Sequence, residues 1–313
     1  MWFWDMEFTM RIGSPFSLDY TLESGQTFRW QKQGEWWYGV VSRGALRLRQ
    51  EGVTLICVPG SEFINSVFIR SYFRLDVELG KVLSSIMKDD TIALAVQTFY
   101  GLRLVRQERW ECLASFVLAT NSNIPRIKKM VQAICTRFGE PFQFEGMDYY
   151  AFPKPEVLAE ASVSDLRGCG LGYRAPFLKQ VASSVYNGRV DFSNLSMLDY
   201  IDARNTLTKE LHGEKLLPGV GLKVADCVLL YSFEMDEAFP IDVWIAREIA
   251  KSYPALLDSD MRRKLGTGSR ARIGRGDYDR VSRKLRFYFG QFAGYAQQYL
   301  FMMARLRRSQ STP

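Results

Sequence analysis

Hydrophobic and polar positions change their rhythm once along this chain. Between residues 27 and 58, four short runs are rich in aromatic and β-branched side chains: TFRWQ (27–31), EWWYGVVS (35–42), ALRLRQ (45–50) and TLICV (54–58). Gly34, Gly44 and Gly52 separate them, and runs of this kind cut by glycine predict antiparallel hairpins in a meander. The opening stretch MWFWDMEF is apolar, but Asp5 interrupts it and no basic residue flanks it. It predicts a first strand and not a signal peptide. From about residue 77 the apolar positions recur every three or four residues, which predicts helices over 91–99, 110–120, 124–138, 174–187 and 222–234. The change of period divides the chain into a β-rich domain over 1–100 and a helical domain over 101–313, with a loose boundary between 80 and 105. Only the tail ARLRRSQSTP reads as frayed.

Composition narrows the chemistry. The chain has 313 residues, 47% of them hydrophobic, enough for two folding units. Lys and Arg number 41 against 34 Asp and Glu, a net charge of +7 that suits a polyanionic partner, nucleic acid foremost. Cys57, Cys112, Cys135, Cys169 and Cys227 are scattered, odd in number and without a C-x-x-C pair. That spacing argues against a disulfide scaffold and against zinc or iron–sulfur ligation. His212 is the single histidine, so conventional zinc sites and serine–histidine catalysis are poorly served. No run of 18 apolar residues exists, so a soluble, intracellular protein is expected.

The stretch richest in chemistry is LHGEKLLPGVGLKVADCVLLYSFEMDEAFPIDVWIAREI (211–249). A helix is expected to end near Leu216, followed by the tight turn Pro218-Gly219-Val220-Gly221 and a new helix from Leu222. Two glycines allow positive φ and leave amides open at a helix N-terminus, a setting that accepts a phosphate oxygen. This helix–turn–helix with L-P-G-V-G is the helix-hairpin-helix signature, which grips DNA backbone and reads no sequence. Lys223 falls in the first turn, where the helix dipole disfavours a cation, on one face with Asp226, Cys227 and Leu230. Both the dipole and apolar neighbours act to lower a lysine pKa and free the amine for attack. A surface lysine that contacts phosphate or pairs with Asp226 fits the same positions. Asp242, after Pro240 and Ile241, reads as the N-cap of VWIAREIA. A cap held by two amides also stays ionised and can face a cation.

At these residues the chain resembles the 8-oxoguanine DNA glycosylase/AP lyase family of the helix-hairpin-helix glycosylase superfamily, over nearly its whole length. Four further segments carry the likeness: SGQTFRW (24–30), LASFVLATNSNIPRI (113–127), GCGLGYRAPF (168–177) and GYAQQYLF (294–301). The resemblance implies Lys223 as nucleophile and Asp242 as the stabilising carboxylate. It implies that the Gly25 carbonyl meets N7–H of the lesion, Gln297 its Watson–Crick edge, and that Phe301 and Cys227 sandwich the flipped base. Asn121, Arg126 and Arg174 would hold the orphaned cytosine while Tyr173 wedges the stack. Gly219 and Gly221 would meet the DNA backbone, and the carbonyls of Lys215, Leu217 and Val220 would line an ion site. On residues alone, Phe301 and Cys227 also fit a plain core, Gln297 beside Gln298 a solvent-facing position, Arg126 and Arg174 phosphate contacts, and Gly25 a simple turn. Family members often carry a histidine two positions after the Asp that contacts a phosphate; here it is Trp244, which has one donor and no charge. His212 does not obviously replace it.

The fold class expected is therefore α+β: an N-terminal antiparallel sheet, like half of a TATA-binding protein, before an all-α helix-hairpin-helix glycosylase domain. The expected partner is double-stranded DNA containing 8-oxoguanine, with no cofactor, no membrane and no second subunit. The compartment would be nucleoid or cytoplasm in a prokaryote and nucleus in a eukaryote. Two rivals share parts of the pattern. An alkylpurine glycosylase of the same superfamily tends to lack the lysine, and a DNA-binding helix-hairpin-helix scaffold needs neither lysine nor carboxylate.

Overall fold

A computed structural model describes residues 7–211, 213–266 and 274–309. Its sheet comprises β1 (Phe8–Arg11), β2 (Trp30–Gln33), β3 (Trp36–Val41), β4 (Gly44–Glu51) and β5 (Thr54–Pro59). All neighbours are antiparallel, in the order β1-β5-β4-β3-β2. Three predicted runs fall on β3, β4 and β5. The fourth becomes a strand only at Trp30, because the residues before it are held otherwise. The Gln26 amide donates to Arg103 O at 2.8 Å and its oxygen accepts from Val105 N at 2.8 Å, so this segment ties to the helical part and not to a strand. The first strand begins at Phe8; residues 1–6 of the expected strand lie outside the described residues. In register, Trp30 faces Gly39. A Cβ at Gly39 would sit 2.4 Å from the Trp30 indole, so only glycine lets that ring lie flat on the sheet. The buried face (Trp30, Trp37, Leu46, Leu48, Leu55, Cys57) packs on Ile69, Tyr72 and Phe73.

Helices begin earlier than the periodicity suggests: Leu18–Glu23, capped by Ser17, lies between β1 and β2, and Ser66–Tyr72 follows the sheet. The predicted helical windows correspond to Asp90–Thr98, Arg109–Leu118, Ile124–Phe138, Ala175–Tyr186 and Leu222–Ser232. Three of these start where a side chain caps them: Asp89, Glu108 and Asn123 accept first-turn amides. The helical domain is as expected and also carries a small hairpin, Pro141–Phe144 against Met147–Tyr150. Two expectations are corrected. The helix expected to end near Leu216 ends at Leu207, and Glu210–Leu211 pairs with Glu214–Lys215 in a second small hairpin, turned by Gly213 at φ +84°. The tail is not frayed through residue 309; the last helix runs Ala293–Ser309, packed on Val243–Ser252 and Asp90–Thr98.

Buried arginines join the two parts. Arg103 is fully buried and donates to Pro15 O (3.0 Å), Val77 O (3.0 Å), Arg74 O (2.5 Å) and Ser14 Oγ (2.8 Å). Arg74 in turn grips Asp236 with two bonds of 2.7 Å. A desolvated guanidinium is tolerated only when its donors are satisfied this fully, so the contacts fix how the sheet sits on the helices. That seating brings the loop before β2 against the last helix.

Candidate active site

The turn after Leu217 opens the site. Gly219 has φ +82°, and a Cβ there would lie 3.2 Å from Phe177 Cδ2, so this glycine is needed for both conformation and space. Gly221 is different from expectation: its φ of −102° is ordinary extended backbone. It caps Leu222–Ser232 with no side-chain acceptor, which leaves first-turn amides for an outside anion. Leu217 O accepts from Val220 N at 3.1 Å within the turn. Leu217 and Val220 are buried and Lys215 is exposed. His212 lies outside the described residues.

Lys223 is half-buried, with its ammonium 5.2 Å from the centroid of Phe116. It does not pair with Asp226. One turn on, burial pushes the Cys227 thiol up to about 11, while the neighbouring Lys223 pulls it down. Asp242 caps Val243–Ser252, as its place in the sequence predicts: Trp244 N (2.9 Å) and Ile245 N (2.8 Å) both donate to Oδ1. Burial raises its carboxyl above the usual carboxylate range, opposed by the charge of Lys223 and those amides. Lys223 thus lies near enough to Cys227 and Asp242 to act on both electrostatically, and Lys223 and Asp242 each stand at the start of their own helix.

A chain of contacts leads from Lys223 to Gly25. Phe116 stacks on Tyr231 at 5.5 Å, the Tyr231 hydroxyl donates to Gln298 Oε1 at 2.6 Å, and Gln298 Nε2 donates to Ser24 O at 2.8 Å. Gln298 is buried and holds the residue before Gly25. Gly25 has φ +76°, and a Cβ there would be 2.8 Å from Ile124 Cδ1 and 3.5 Å from Phe301 Cε1. Arg305 anchors the same loop through Glu23 O at 2.6 Å and lies 5.7 Å over the Phe301 ring. Gln297 is 4% exposed, and its Oε1 has no hydrogen-bond partner among the described residues. A buried acceptor left unpaired costs about 1–3 kcal/mol, which a donor-bearing ligand edge would recover. Sequence reasoning missed Phe116, Ile124, Tyr231 and Gln298. Phe116 and Ile124 lie inside the quoted 113–127 segment, and Gln298 beside Gln297, so the signal existed but their direction did not.

Asn121, Tyr173 and Arg174 come together; Arg126 stands apart, exposed on the first turn of Ile124–Phe138. Asn121 takes φ +49°, and its amide donates to Tyr173 Oη at 3.3 Å. Tyr173 is exposed and edge-on to Phe177. Arg174 is buried: Nε donates to Thr120 O and Nη2 to Asn121 O, both at 2.9 Å, so its guanidinium clamps the Asn121 turn. Trp244 carries the Arg308 guanidinium 4.7 Å from its ring centroid. A cation therefore stands over the indole that occupies the expected histidine position.

Residues 10–113 match the N-terminal domain of 8-oxoguanine DNA glycosylase, and residues 114–265 match the HhH-GPD superfamily of base excision DNA repair proteins. The N-glycosylase/DNA lyase of Saccharomyces cerevisiae is 30% identical over 92% of this chain and 83% of its own length. The chain belongs to the 8-oxoguanine DNA glycosylase family. The apo 8-oxoguanine glycosylase/lyase of Clostridium acetobutylicum superposes with a TM-score of 0.81 at 28% identity, covering 94% of this chain and 95% of that one. The same enzyme with double-stranded DNA containing cytosine opposite 8-oxoguanine gives 0.79 at 26% identity, covering 97% and 99%. Among the described residues no helix is long and apolar enough to cross a membrane, and no cluster of three or more His, Cys, Asp or Glu side chains could hold a metal.

Proposed function

We propose that this family member excises 8-oxoguanine from duplex DNA with Lys223 as nucleophile and then cleaves the strand by β-elimination. The observation that supports the reading is the electrostatic coupling of Lys223 to Asp242 and Cys227, at the end of a contact chain that reaches the residue before Gly25. The base must leave the stack for its C1′ to be reached. The unprotonated amine attacks C1′, the bond to N9 breaks, and the electron pair leaves with the base. The sugar ring opens to a Schiff base, the C2′ proton is lost, and the 3′ phosphate departs. Asp242 stabilises the positive charge that builds on the sugar. Borohydride reduces the Schiff base and leaves protein and lesion strand covalently joined. Excision without any trapped complex would overturn the lysine route in favour of water activated by Asp242.

Recognition follows from the pocket's polarity. The Gly25 carbonyl accepts N7–H of 8-oxoguanine but meets a lone pair in guanine, a difference of one hydrogen bond plus a buried unpaired acceptor. Gln297 Oε1 meets donors on the Watson–Crick edge, and Phe301 with Cys227 offers the flat and polarizable faces a purine needs. Gly25→Ala adds a methyl 2.8 Å from Ile124 at a φ that costs an L-residue about 1–2 kcal/mol. It is expected to slow 8-oxoguanine excision roughly tenfold while trapping at a preformed abasic site stays near normal. Equal losses on both substrates would mark a misfolded sheet instead.

Asn121, Arg126 and Arg174 supply donors that match O2 and N3 of cytosine, with Tyr173 filling the gap in the stack. For Arg174 this means exchanging its hold on Asn121 O and Thr120 O for the base. Excision is expected to be fastest opposite cytosine, each bidentate contact contributing ~1–3 kcal/mol of discrimination. Comparable single-turnover rates opposite all four bases would assign these residues to phosphate contacts. The hairpin amides after Gly221 would take a DNA phosphate, and the carbonyls of Lys215, Leu217 and Val220 an ion beside it. One polypeptide suffices for this arrangement.

A further inference from the structure

Asp226 lies three residues after Lys223 on the same helix and turns away from the reaction. It is fully buried. Tyr278 Oη donates to its Oδ2 at 2.6 Å and Tyr200 Oη to its Oδ1 at 2.7 Å. Arg204 lies 3.8 Å away, bonded to the Tyr200 hydroxyl at 3.1 Å and paired with Asp279. The Tyr278 hydroxyl has a second bond: it accepts from Ile241 N at 3.1 Å. Ile241 immediately precedes Asp242. Three covalently distant pieces thus meet on one hydroxyl: the lysine helix, the helix Arg275–Phe289 that bears Tyr278, and the segment that presents the catalytic carboxylate.

We propose that Asp226 and Tyr278 are positioning residues that set the separation of Lys223 and Asp242. The inference rests on the reading of Lys223 and Asp242 given above. Its physical basis is directionality. A hydroxyl has one proton; because the Asp226 carboxylate takes it, the Tyr278 oxygen turns its lone pairs toward the Ile241 amide. The carboxylate thereby orients a dipole that pins the backbone one residue before Asp242. Burial pushes the Asp226 carboxyl up to about 6, opposed by the Tyr278 hydroxyl, Arg204 and the Tyr200 hydroxyl, and with a hydroxyl donating to each of its oxygens it acts as an acceptor to both. A bond to a charged, desolvated group is stronger than a neutral one, which suits a part whose purpose is to hold distance. The Asp242 cap alone fixes the start of its helix, not the distance from that helix to Lys223.

The test uses the full chain in single-turnover assays on two duplexes, one with 8-oxoguanine and one with a preformed abasic site. Tyr278→Phe leaves the ring in place and removes the hydroxyl. It is expected to slow base excision about tenfold and to change borohydride trapping at the abasic site less than about twofold, because the aldehyde needs the lysine but not the charge stabilisation. In combination with Asp242→Asn it should add less than about twofold to excision, since both act through one group. Tyr299→Phe removes a buried hydroxyl bonded to Leu102 O at 2.9 Å and controls for stability lost away from the site. If Tyr278→Phe does not fold, Asp226→Asn replaces it. The two tyrosines donate to different carboxylate oxygens, and asparagine keeps only one of these as an acceptor, so the same split between substrates is expected. Equal losses on the two duplexes, or losses that multiply in the double variant, would overturn the positioning role. If Asp242→Asn alone leaves excision unchanged, the reading of Asp242 fails, whatever Tyr278 does.

Discussion

Lys223→Gln should retain affinity for lesion duplexes and lose both excision and borohydride trapping, by roughly 10³-fold or more. Glutamine is one bond shorter but keeps a polar, uncharged end toward the Phe116 face, which the ammonium overlies at 5.2 Å. It cannot supply an electron pair to C1′ or form a Schiff base. DNA binding should persist because the phosphate contact proposed here comes from the hairpin amides after Gly221, and the orphan-base contacts from Asn121, Arg126 and Arg174. The measurement is a pair of curves, binding by gel shift and excision under single turnover, on the same duplex. Weakened binding in step with weakened excision would mean that Lys223 is a phosphate contact. Full excision would remove it from the chemistry altogether.

Asp242→Asn should slow base excision by ~100-fold or more and leave the fold intact. The cap uses Oδ1 alone, accepting from Trp244 N and Ile245 N, and an asparagine oxygen accepts the same two bonds. What is lost is the negative charge. In a site where burial already raises the Asp242 carboxyl above its usual range against the pull of Lys223, a charge acts with little screening. Thermal melting should therefore move little while the single-turnover rate collapses. A rate change under threefold would leave Asp242 as a cap and nothing more.

The family resemblance read from the motifs is supported by the family matches over residues 10–113 and 114–265. The placement of Lys223 and Asp242 at two helix starts was legible for a local reason. Turn glycines, a proline before a carboxylate and a three- and four-residue apolar rhythm are properties of consecutive residues. The path into the turn was not legible, and the helix expected to reach Leu216 stops at Leu207. Gly213 at φ +84° is a conformational choice that a glycine permits but does not announce. Gly221 also escaped, since an extended glycine and a left-handed one look alike in a sequence.

Sequence by itself determined the strand and helix periods, the net positive charge, the absence of clustered cysteines, and which side chains sit at the helix ends. Those depend on neighbours within one turn or one hairpin. Tertiary structure alone decided what those side chains meet. It turned Asp226 away from Lys223 toward Tyr200 and Tyr278, although three-residue spacing put lysine and aspartate on one face. It buried Gln298 against Ser24 and left the Gln297 oxygen unpaired, although the two amides are adjacent and chemically identical. It laid Arg308 over Trp244 and Ile124 against Gly25. Each of these contacts joins segments far apart in the chain, and each depends on which partners packing brings to buried polar groups and on the filling of space. Those are conditions on the packed whole, which no window of consecutive residues contains.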